Sequence, residues 1–132
     1  MKYLKLFEDF QIQDLNVMSR EQIKNMFLEE CDKDNPNLEL IRTILENGIV
    51  DVNDTDSIGW TALHCASGHF SLELVKLLID SGADVNARTI EGDVPLLVAI
   101  SNHSKRISKF LIEAGADVNI KNNYGNSPSD YI

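Results

Sequence analysis

Cysteines and long apolar runs are both scarce in this sequence, and each shortage excludes a class of protein. Cys31 and Cys65 are the only two cysteines, too few for a disulfide framework and without the paired ligand spacing of a structural zinc site. No segment approaches the length of a transmembrane helix, and charged side chains interrupt residues 1–10, where a signal peptide would need a continuous apolar core. We therefore predict a cytoplasmic protein with no disulfide, metal or cofactor.

Basic residues are also in short supply. The chain holds 12 Lys and Arg against 21 Asp and Glu, a formal net charge of −9. Residues 21–55 hold three basic side chains and nine carboxylates, so a net charge of −6 lies in that stretch. Nucleic acids and acidic membranes are bound through Lys and Arg, so neither is expected as a partner. The acidity either favours a partner with a basic surface or only keeps the chain soluble.

Motifs of known catalytic sites are missing as well. The chain has no phosphate-binding glycine loop, nucleophile elbow or zinc-protease helix. Cys65 follows His64 directly, and adjacent helical residues point about 100° apart, so the two are not a nucleophile–base pair. His69 and His103 lack a carboxylate or thiol at ligand spacing. We predict that the protein is not an enzyme.

What the chain does have is an internal repeat of 33 residues. Several sets of identical residues are separated by this period: Gly59, Gly92 and Gly125; Gly82 and Gly115; Ala83 and Ala116; Asp51, Asp84 and Asp117; Asn53, Asn86 and Asn119. A self-similarity at 33 residues, in register over so many positions, is the period of ankyrin repeats. The repeat is therefore the feature that defines the fold.

Two units carry the pattern in nearly complete form. One reads DSIGWTALHCA over 56–66 and LVKLLIDSGADVN over 74–86, and the next reads EGDVPL over 91–96 and FLIEAGADVN over 110–119. These segments resemble the ankyrin-repeat family. The resemblance implies an all-α solenoid of helix-turn-helix repeats with short β-hairpin-like loops. It also implies that His64 links neighbouring loops through hydrogen bonds, whereas Val94 and Leu97 occupy the places of Thr61 and His64 one repeat later.

The residues support this fold independently of the resemblance. Thr61 can cap a helix that begins at Ala62, and Pro95 suits the first turn of the equivalent helix. Gly82 and Gly115 lie where the second helices must end. Periodicity predicts the apolar sides of the second helices to be Leu72, Val75, Leu77, Leu78 and Ile79 in one, and Ile107, Phe110, Leu111 and Ile112 in the other.

At 132 residues the chain has the size of one domain, which we divide into five segments. Residues 1–18 form an extension in which Tyr3, Leu6, Phe7 and Phe10 follow helical spacing, so an amphipathic helix that covers the end of the stack is expected; a partner-binding tail and disorder are the alternatives. Residues 19–53 resemble a divergent cap repeat, whose first helix runs from about Glu21 to Cys31 behind a capping box of Ser19 and Gln22. The ankyrin repeats are 54–86 and 87–119, followed by a truncated repeat, 120–132.

The truncated repeat raises a question about the C-terminal face. No second helix follows to cover Ile107 and Phe110, and an uncovered apolar face would be a binding patch. We expect residues 127–132 to cover enough of it. A second copy of the chain or a partner protein is the alternative.

The resemblance also implies where a partner would bind, because ankyrin stacks expose a concave surface made of turn tips and first helices. Carried over position by position, this surface comprises Ser57, Ile58, Trp60 and His69 in one repeat, Ile90, Glu91, Asp93, Ser101 and Asn102 in the next, and Tyr124 and Asn126 in the last. Trp60 and Tyr124 matter most because aromatic residues dominate binding energy, although Trp60 could instead pack along the adjacent turn.

The function predicted from these observations is non-catalytic protein binding, by an adaptor or an inhibitor that is a monomer. The alternative is a structural subunit that self-assembles through an incompletely capped C-terminal repeat. A further hypothesis concerns modification: Asn53, Asn86 and Asn119 each follow Val and have Leu eight residues earlier, which resembles the pattern that is hydroxylated in ankyrin repeats of animal cells. Turn structure alone explains the same residues.

Overall fold

The structure is a computed structural model that describes residues 12–132, with side chains from residue 14 onward. The predicted amphipathic helix with Tyr3, Leu6, Phe7 and Phe10 lies outside the described residues. Within the described range the chain forms six α-helices and two short 3₁₀ helices, and no β-strand. The bounds are α1 Arg20–Cys31, α2 Leu38–Glu46, α3 Ala62–Ser67, α4 Leu72–Asp80, α5 Pro95–Ser101 and α6 Lys105–Glu113, with 3₁₀ helices at Ile12–Val17 and Pro128–Asp130.

The starts of the helices follow local capping chemistry. Ser19 Oγ accepts a hydrogen bond from the Gln22 N–H at 3.1 Å, and Gln22 Oε1 accepts from the Ser19 N–H at 2.8 Å, which completes the predicted capping box of α1. Thr61 caps α3 as predicted. Pro95 is the first residue of α5, where Val94 offers no side-chain cap.

The helices stack in consecutive pairs, α1 with α2, α3 with α4, and α5 with α6. The first helices form one row, in which α3 lies between α1 and α5, and α5 also contacts the C-terminal 3₁₀ helix. Behind them α4 lies against α6. The largest fully buried apolar side chains are Ile23, Met26, Phe27, Ile41, Ile44, Leu63, Leu74, Leu78, Leu96, Ile107 and Leu111. Each pair thus completes its core only against its neighbours, which is the architecture of a solenoid.

The C-terminal face differs from the sequence expectation. Ile107 is only 1% exposed and belongs to the core, and Phe110 is half-buried with Lys76 Nζ 5.5 Å from its ring centroid. We expected residues 127–132 to cover these two side chains, whereas both pack toward the preceding pair. The large apolar side chain left open on α6 is Ile112, which is 40% exposed.

The last residues cover this face only in part. Ser127 and Pro128 are buried, and the Ser129 N–H donates to the Val118 carbonyl at 2.8 Å. Tyr131 and Ile132 remain exposed. The helix pairs fall inside the segments 19–53, 54–86 and 87–119, whose bounds remain a prediction.

Candidate protein-binding surface

Three equivalent turns precede α3, α5 and the C-terminal 3₁₀ helix. Each is closed by a backbone hydrogen bond across four residues: the Asp56 N–H donates to the Trp60 carbonyl, Thr89 to Asp93, and Asn122 to Asn126, at 3.0, 3.0 and 2.8 Å. A glycine with positive φ lies inside each turn. The resulting loops are β-hairpin-like, and the first also forms an isolated bridge between Thr55 and Thr61.

The turns are tied to one another by backbone hydrogen bonds. The Ile90 N–H donates to the Ile58 carbonyl at 3.1 Å, and the Asn123 N–H donates to the Glu91 carbonyl at 2.8 Å. Gly92 lies so close to the next turn that a Cβ would be 3.0 Å from the Asn122 Cα. These contacts fix the tips of the three turns in one rigid row.

His64 secures two of these turns from within. The imidazole is fully buried, its Nδ1 accepts from the Thr61 N–H at 3.1 Å, and its Nε2 donates to the Asp93 carbonyl at 2.8 Å. Burial lowers the pKa of His64, although the bond to the Asp93 carbonyl opposes the shift. The expected link between neighbouring loops is confirmed, and Leu97, its counterpart one repeat later, cannot make the same bond.

Five of the predicted binding residues line one open cleft beside the turns. Its volume is about 330 Å³. The lining residues are Trp60, Asp93, Leu97, Val98, Ser101, Asn102, Asn122, Asn126 and Tyr131. The Trp60 ring is half-buried and lies 5.6 Å from the His64 ring between centroids, at an interplanar angle of 52°. Trp60 therefore packs against His64 and also lines the cleft.

The remaining predicted residues, apart from His69, form the exposed tips of the turns. Ile58, Ile90 and Tyr124 are 48%, 66% and 71% exposed, respectively. Ser57 and Glu91 are exposed beside them, and the Tyr124 hydroxyl donates to Glu91 Oε1 at 3.5 Å. We call Ile58, Ile90 and Tyr124 the tip row. It presents one large side chain from each turn.

His69 does not line the cleft. Its Nδ1 lies 2.6 Å from Asp34 Oδ1 and its Nε2 lies 2.9 Å from Asp32 Oδ1, so it links the α3–α4 loop to the loop after α1. Partial burial acts to lower the pKa of His69, but the two hydrogen bonds and the charges of both carboxylates outweigh it and raise the pKa.

Sequence reasoning missed several exposed or lining side chains. Phe70 is 72% exposed in the α3–α4 loop, and an aromatic residue directly after Gly68-His69, outside both predicted helices, was the signal that could have marked it. Tyr131 and Val98 line the cleft. Neither carries a local sequence signal, because only the stacking of turns and helices brings these residues to one place.

Asn53 and Asn86 each form hydrogen bonds to the segment that follows the second helix of the next pair. Asn53 Oδ1 accepts from the Asp84 N–H at 2.7 Å and its Nδ2 donates to the Gly82 carbonyl at 3.2 Å. Asn86 Oδ1 accepts from the Asp117 N–H at 2.8 Å in the same way. These two side chains therefore hold consecutive pairs together, and hydroxylation of Asn53, Asn86 or Asn119 remains an untested prediction.

Both cysteine thiols lie in the interior of the described part of the chain. Cys31 and Cys65 are free and buried, and burial raises the pKa of the Cys65 thiol to about 12. Among the described residues no group of three or more His, Cys, Asp or Glu side chains could hold a metal ion. No helix in the same range is long and apolar enough to cross a membrane.

Comparison with known proteins agrees with this architecture. A family described as ankyrin repeats, in three copies, matches residues 28–122, more than half of the chain. The chain is 38% identical over 77 residues to "Ankyrin repeat and MYND domain-containing protein 1" of Mus musculus, which is 58% of this chain and 8% of that protein. It is 40% identical over 74 residues to "Ankyrin repeat protein OPG189" of Monkeypox virus, 56% of this chain and 13% of the viral protein. "Regulatory protein NPR6" of Arabidopsis thaliana is 39% identical over 70 residues, 52% of this chain and 14% of the plant protein.

Proposed function

This chain belongs to the ankyrin-repeat family, and we propose that it is a non-catalytic adaptor or inhibitor that binds a partner protein through the tip row and the neighbouring cleft. Ankyrin repeats are generally protein-interaction modules, and proteins of this family are typically not enzymes. Solenoids of this kind use the extended surface created by stacked repeats. The matched regions make up only 8%, 13% and 14% of these three relatives, so their names carry no partner over to this chain.

The observation that carries the proposal is the tip row. Ile58, Ile90 and Tyr124 are exposed, yet hydrogen bonds between the turns fix their backbones. A rigid exposed surface loses little conformational entropy when a partner binds, so more of the contact energy contributes to affinity. Aromatic side chains such as Tyr124 contribute a disproportionate share of that energy.

The electrostatics of the surface support a partner with a basic group. Glu91 is exposed next to Ile90 and Tyr124, and its backbone carbonyl accepts the 2.8 Å hydrogen bond from the Asn123 N–H that joins two turns. A Lys or Arg placed there would meet a carboxylate that the Tyr124 hydroxyl already orients. We therefore propose a partner that offers apolar side chains next to a basic residue. We also propose that binding takes place in the cytoplasm, where free thiols such as those of Cys31 and Cys65 stay reduced.

The experiment is affinity capture from lysate of the source cells with matched variants of the whole chain. Tyr124→Ala and Ile90→Ala together remove two tips of the row, and both sites are exposed, so the fold should survive. Phe70→Ala is the control, because Phe70 is 72% exposed and Tyr124 is 71% exposed, but Phe70 lies outside the row. Circular dichroism and urea unfolding would show that all variants fold.

A protein retained by the wild type and by Phe70→Ala, but at least about tenfold weaker on the double variant, would support the proposal. Equal retention by all three chains would contradict it. Light scattering on the same samples tests the alternative of self-assembly: a dimer or larger mass with no captured protein would favour a structural subunit.

A further inference from the structure

An apolar groove lies on the face of α5 and α6 that points away from the preceding pairs. Its volume is about 840 Å³. Its lining includes Ile100, Lys105, Ser108, Lys109, Ile112 and Tyr131. Ile100 and Ile112 supply aliphatic surface along the two helices, and Tyr131 and Ile132 form an exposed apolar wall. The groove shares only Ser101 and Tyr131 with the cleft described above.

The corresponding faces of the earlier helices accept the next pair. Residues at matching positions form an apolar row on each of them, Leu38, Ile41 and Leu45 on α2 and Leu72, Val75 and Ile79 on α4. Leu45 lines one shallow pocket together with Leu77 of α4, so the row on α2 faces the pair that follows. Val75 on α4 is fully buried.

On α6 this row has a different chemistry. The matching residues are Lys105, Ser108 and Ile112, so two of the three apolar positions are polar. In the first helices one position changes from polar to apolar, because Ile100 of α5 occupies the place that Ser67 has in α3. The last pair therefore combines an aliphatic floor with a polar and cationic rim, and it does not repeat the surface that receives another repeat of this chain.

The rim is cationic on a molecule that is otherwise acidic. Lys105 and Lys109 are one helical turn apart and line the same groove, in which Glu113 is the one carboxylate, so cations outnumber anions in the lining. Three basic residues and one carboxylate lie on α6, whereas α4 holds one basic residue and two carboxylates, and the whole chain has a net charge of −9. Charge complementarity thus points to an acidic occupant at this face.

We propose that the groove binds an amphipathic helix of a partner protein, with apolar residues on one face and Glu or Asp beside them. The apolar face would pack on Ile100, Ile112 and Tyr131, and the carboxylates would pair with Lys105 and Lys109. Such an arrangement is the helix-in-groove mode of recognition, read by anchors at i, i+3, i+4 and i+7. It adds a second binding surface to the tip row, and it does not depend on that surface.

A second copy of the chain fits this face less well. Joining two C-terminal faces would bring Lys105 and Lys109 of one copy against the same cations of the other. An acidic helix avoids this conflict.

The test uses the whole chain and a labelled synthetic helix of about 15 residues, long enough for four turns. The peptide carries Leu at i, i+3, i+4 and i+7 and Glu at the flanking positions, and a second peptide replaces every Glu by Lys. Fluorescence anisotropy gives the affinities, and the amide resonances of Ser108 and Ile112 report the place of binding. Three variants are compared with the wild type: Lys105→Glu with Lys109→Glu, Arg106→Glu, and Ile90→Ala with Tyr124→Ala.

We expect the Glu peptide to bind the wild type and to bind Lys105→Glu, Lys109→Glu at least about tenfold more weakly. Arg106 lies on the same helix but does not line the groove, so Arg106→Glu should change the affinity less than about twofold. The Lys peptide should prefer the charge-reversed double variant. The Ile90→Ala, Tyr124→Ala variant should bind normally, which separates this surface from the tip row.

Failure of the Glu peptide to bind would overturn the proposal. An equal loss in Arg106→Glu would also overturn it, because it would show attraction to the net charge of α6 without use of the groove. A wild-type dimer that Lys105→Glu, Lys109→Glu dissociates would identify a second copy as the occupant and reject the acidic helix.

Discussion

At the scale of single residues, the two bonded histidines have opposite relations to pH. His64 is buried as the neutral imidazole, so protonation would cost its bond from the Thr61 N–H. Its folded-state pKa lies below the unfolded value, and its contribution to stability is therefore complete above about pH 6.5 and declines as the pH falls. His69 places both ring nitrogens on carboxylates, which requires the doubly protonated, charged form.

The first prediction concerns His69→Ala. The folded-state pKa of His69 is raised, so its stabilisation is fully present below the unfolded pKa of about 6.5 and is lost as the pH rises through the folded pKa. The wild type should exceed His69→Ala in free energy of unfolding near pH 5.5 by about 1 kcal/mol or less, because the pair is partly exposed. Urea unfolding between pH 5.5 and 8.5 measures the difference, which should shrink with rising pH.

The control for this prediction is a double-mutant cycle with Asp32→Asn and Asp34→Asn. In that background His69→Ala should lose its pH-dependent part, because no carboxylate remains to favour the imidazolium. A difference between wild type and His69→Ala that is constant across the pH range would show that the histidine acts by packing alone.

At the scale of elements, the short turns determine how the helices are spaced. The helices of the last two pairs have only six to nine residues, too few to be stable alone. Hydrogen bonds between turns, together with the His64 link, set the spacing at which these helices pack. A turn that moves therefore moves both the core contacts behind it and the tip row in front of it.

The second prediction compares two glycines in the same backbone region. Gly92 and Gly82 have φ of +83° and +96°, so alanine at either position costs about 1 kcal/mol in backbone strain. At Gly82 a Cβ would meet nothing within 4 Å, but at Gly92 it would be 3.0 Å from the Asn122 Cα in the next turn. Gly92→Ala should therefore lose about 1–2 kcal/mol more than Gly82→Ala in urea unfolding.

The comparison contains its own control, since Gly82→Ala carries the strain without the clash. Equal losses in the two variants would mean that the turns can separate at no cost. In that case the tip row would not be the rigid surface on which the proposed function rests.

The sequence allowed the elements to be predicted better than the surfaces. The capping box of Ser19 and Gln22 and the cap at Thr61 depend on groups within three residues, so local chemistry was sufficient. Ile107 was correctly placed on the apolar side of its helix, but helical periodicity identifies an apolar face and not the neighbour that covers it. The hydrogen bonds from His69 to Asp32 and Asp34 join residues more than 30 positions apart, and no local sequence pattern predicts them.

The candidate binding surface shows the same limit. Trp60, Ser101 and Asn126 could be placed on one surface only through the resemblance to ankyrin repeats, and the structure does bring them to one cleft. Tyr131 and Val98 complete that cleft without any signal in the sequence. The groove on α6 became visible only when Lys105 and Ser108 were compared with their counterparts in a stacked structure.

At the scale of the whole molecule, the stack is a short one-dimensional array with unequal positions. The central helix α3 has α1 on one side and α5 on the other, and each of its six residues is buried. Helix α6 has the neighbouring α4 on one side and an open groove on the other. In such arrays the free energy of unfolding is approximately the sum of the stabilities of the repeats and of the interfaces between them. Helices that pack against a neighbour on one side only therefore unfold locally before the central helices do.

The third prediction is that amide exchange will follow this order. Amides of α3 should exchange only through global unfolding, whereas those of α6 should exchange at least about tenfold faster through local opening. Hydrogen exchange monitored by NMR measures both. Ile107→Ala, which removes a fully buried side chain from the last pair, should cost about 2–4 kcal/mol and accelerate exchange in α6 more than in α1.

The matched variant is Ile41→Ala, because Ile41 is also fully buried but belongs to the first pair. It should accelerate exchange in α1 and α2 more than in α6, the reverse of Ile107→Ala. Equal acceleration of all helices by both variants would show that the chain unfolds as one cooperative unit, and the open groove would then have no energetic consequence for α6.

Added Glu peptide should slow exchange in α6 before it affects α1, since a ligand bound at the groove supplies the interface that this helix lacks.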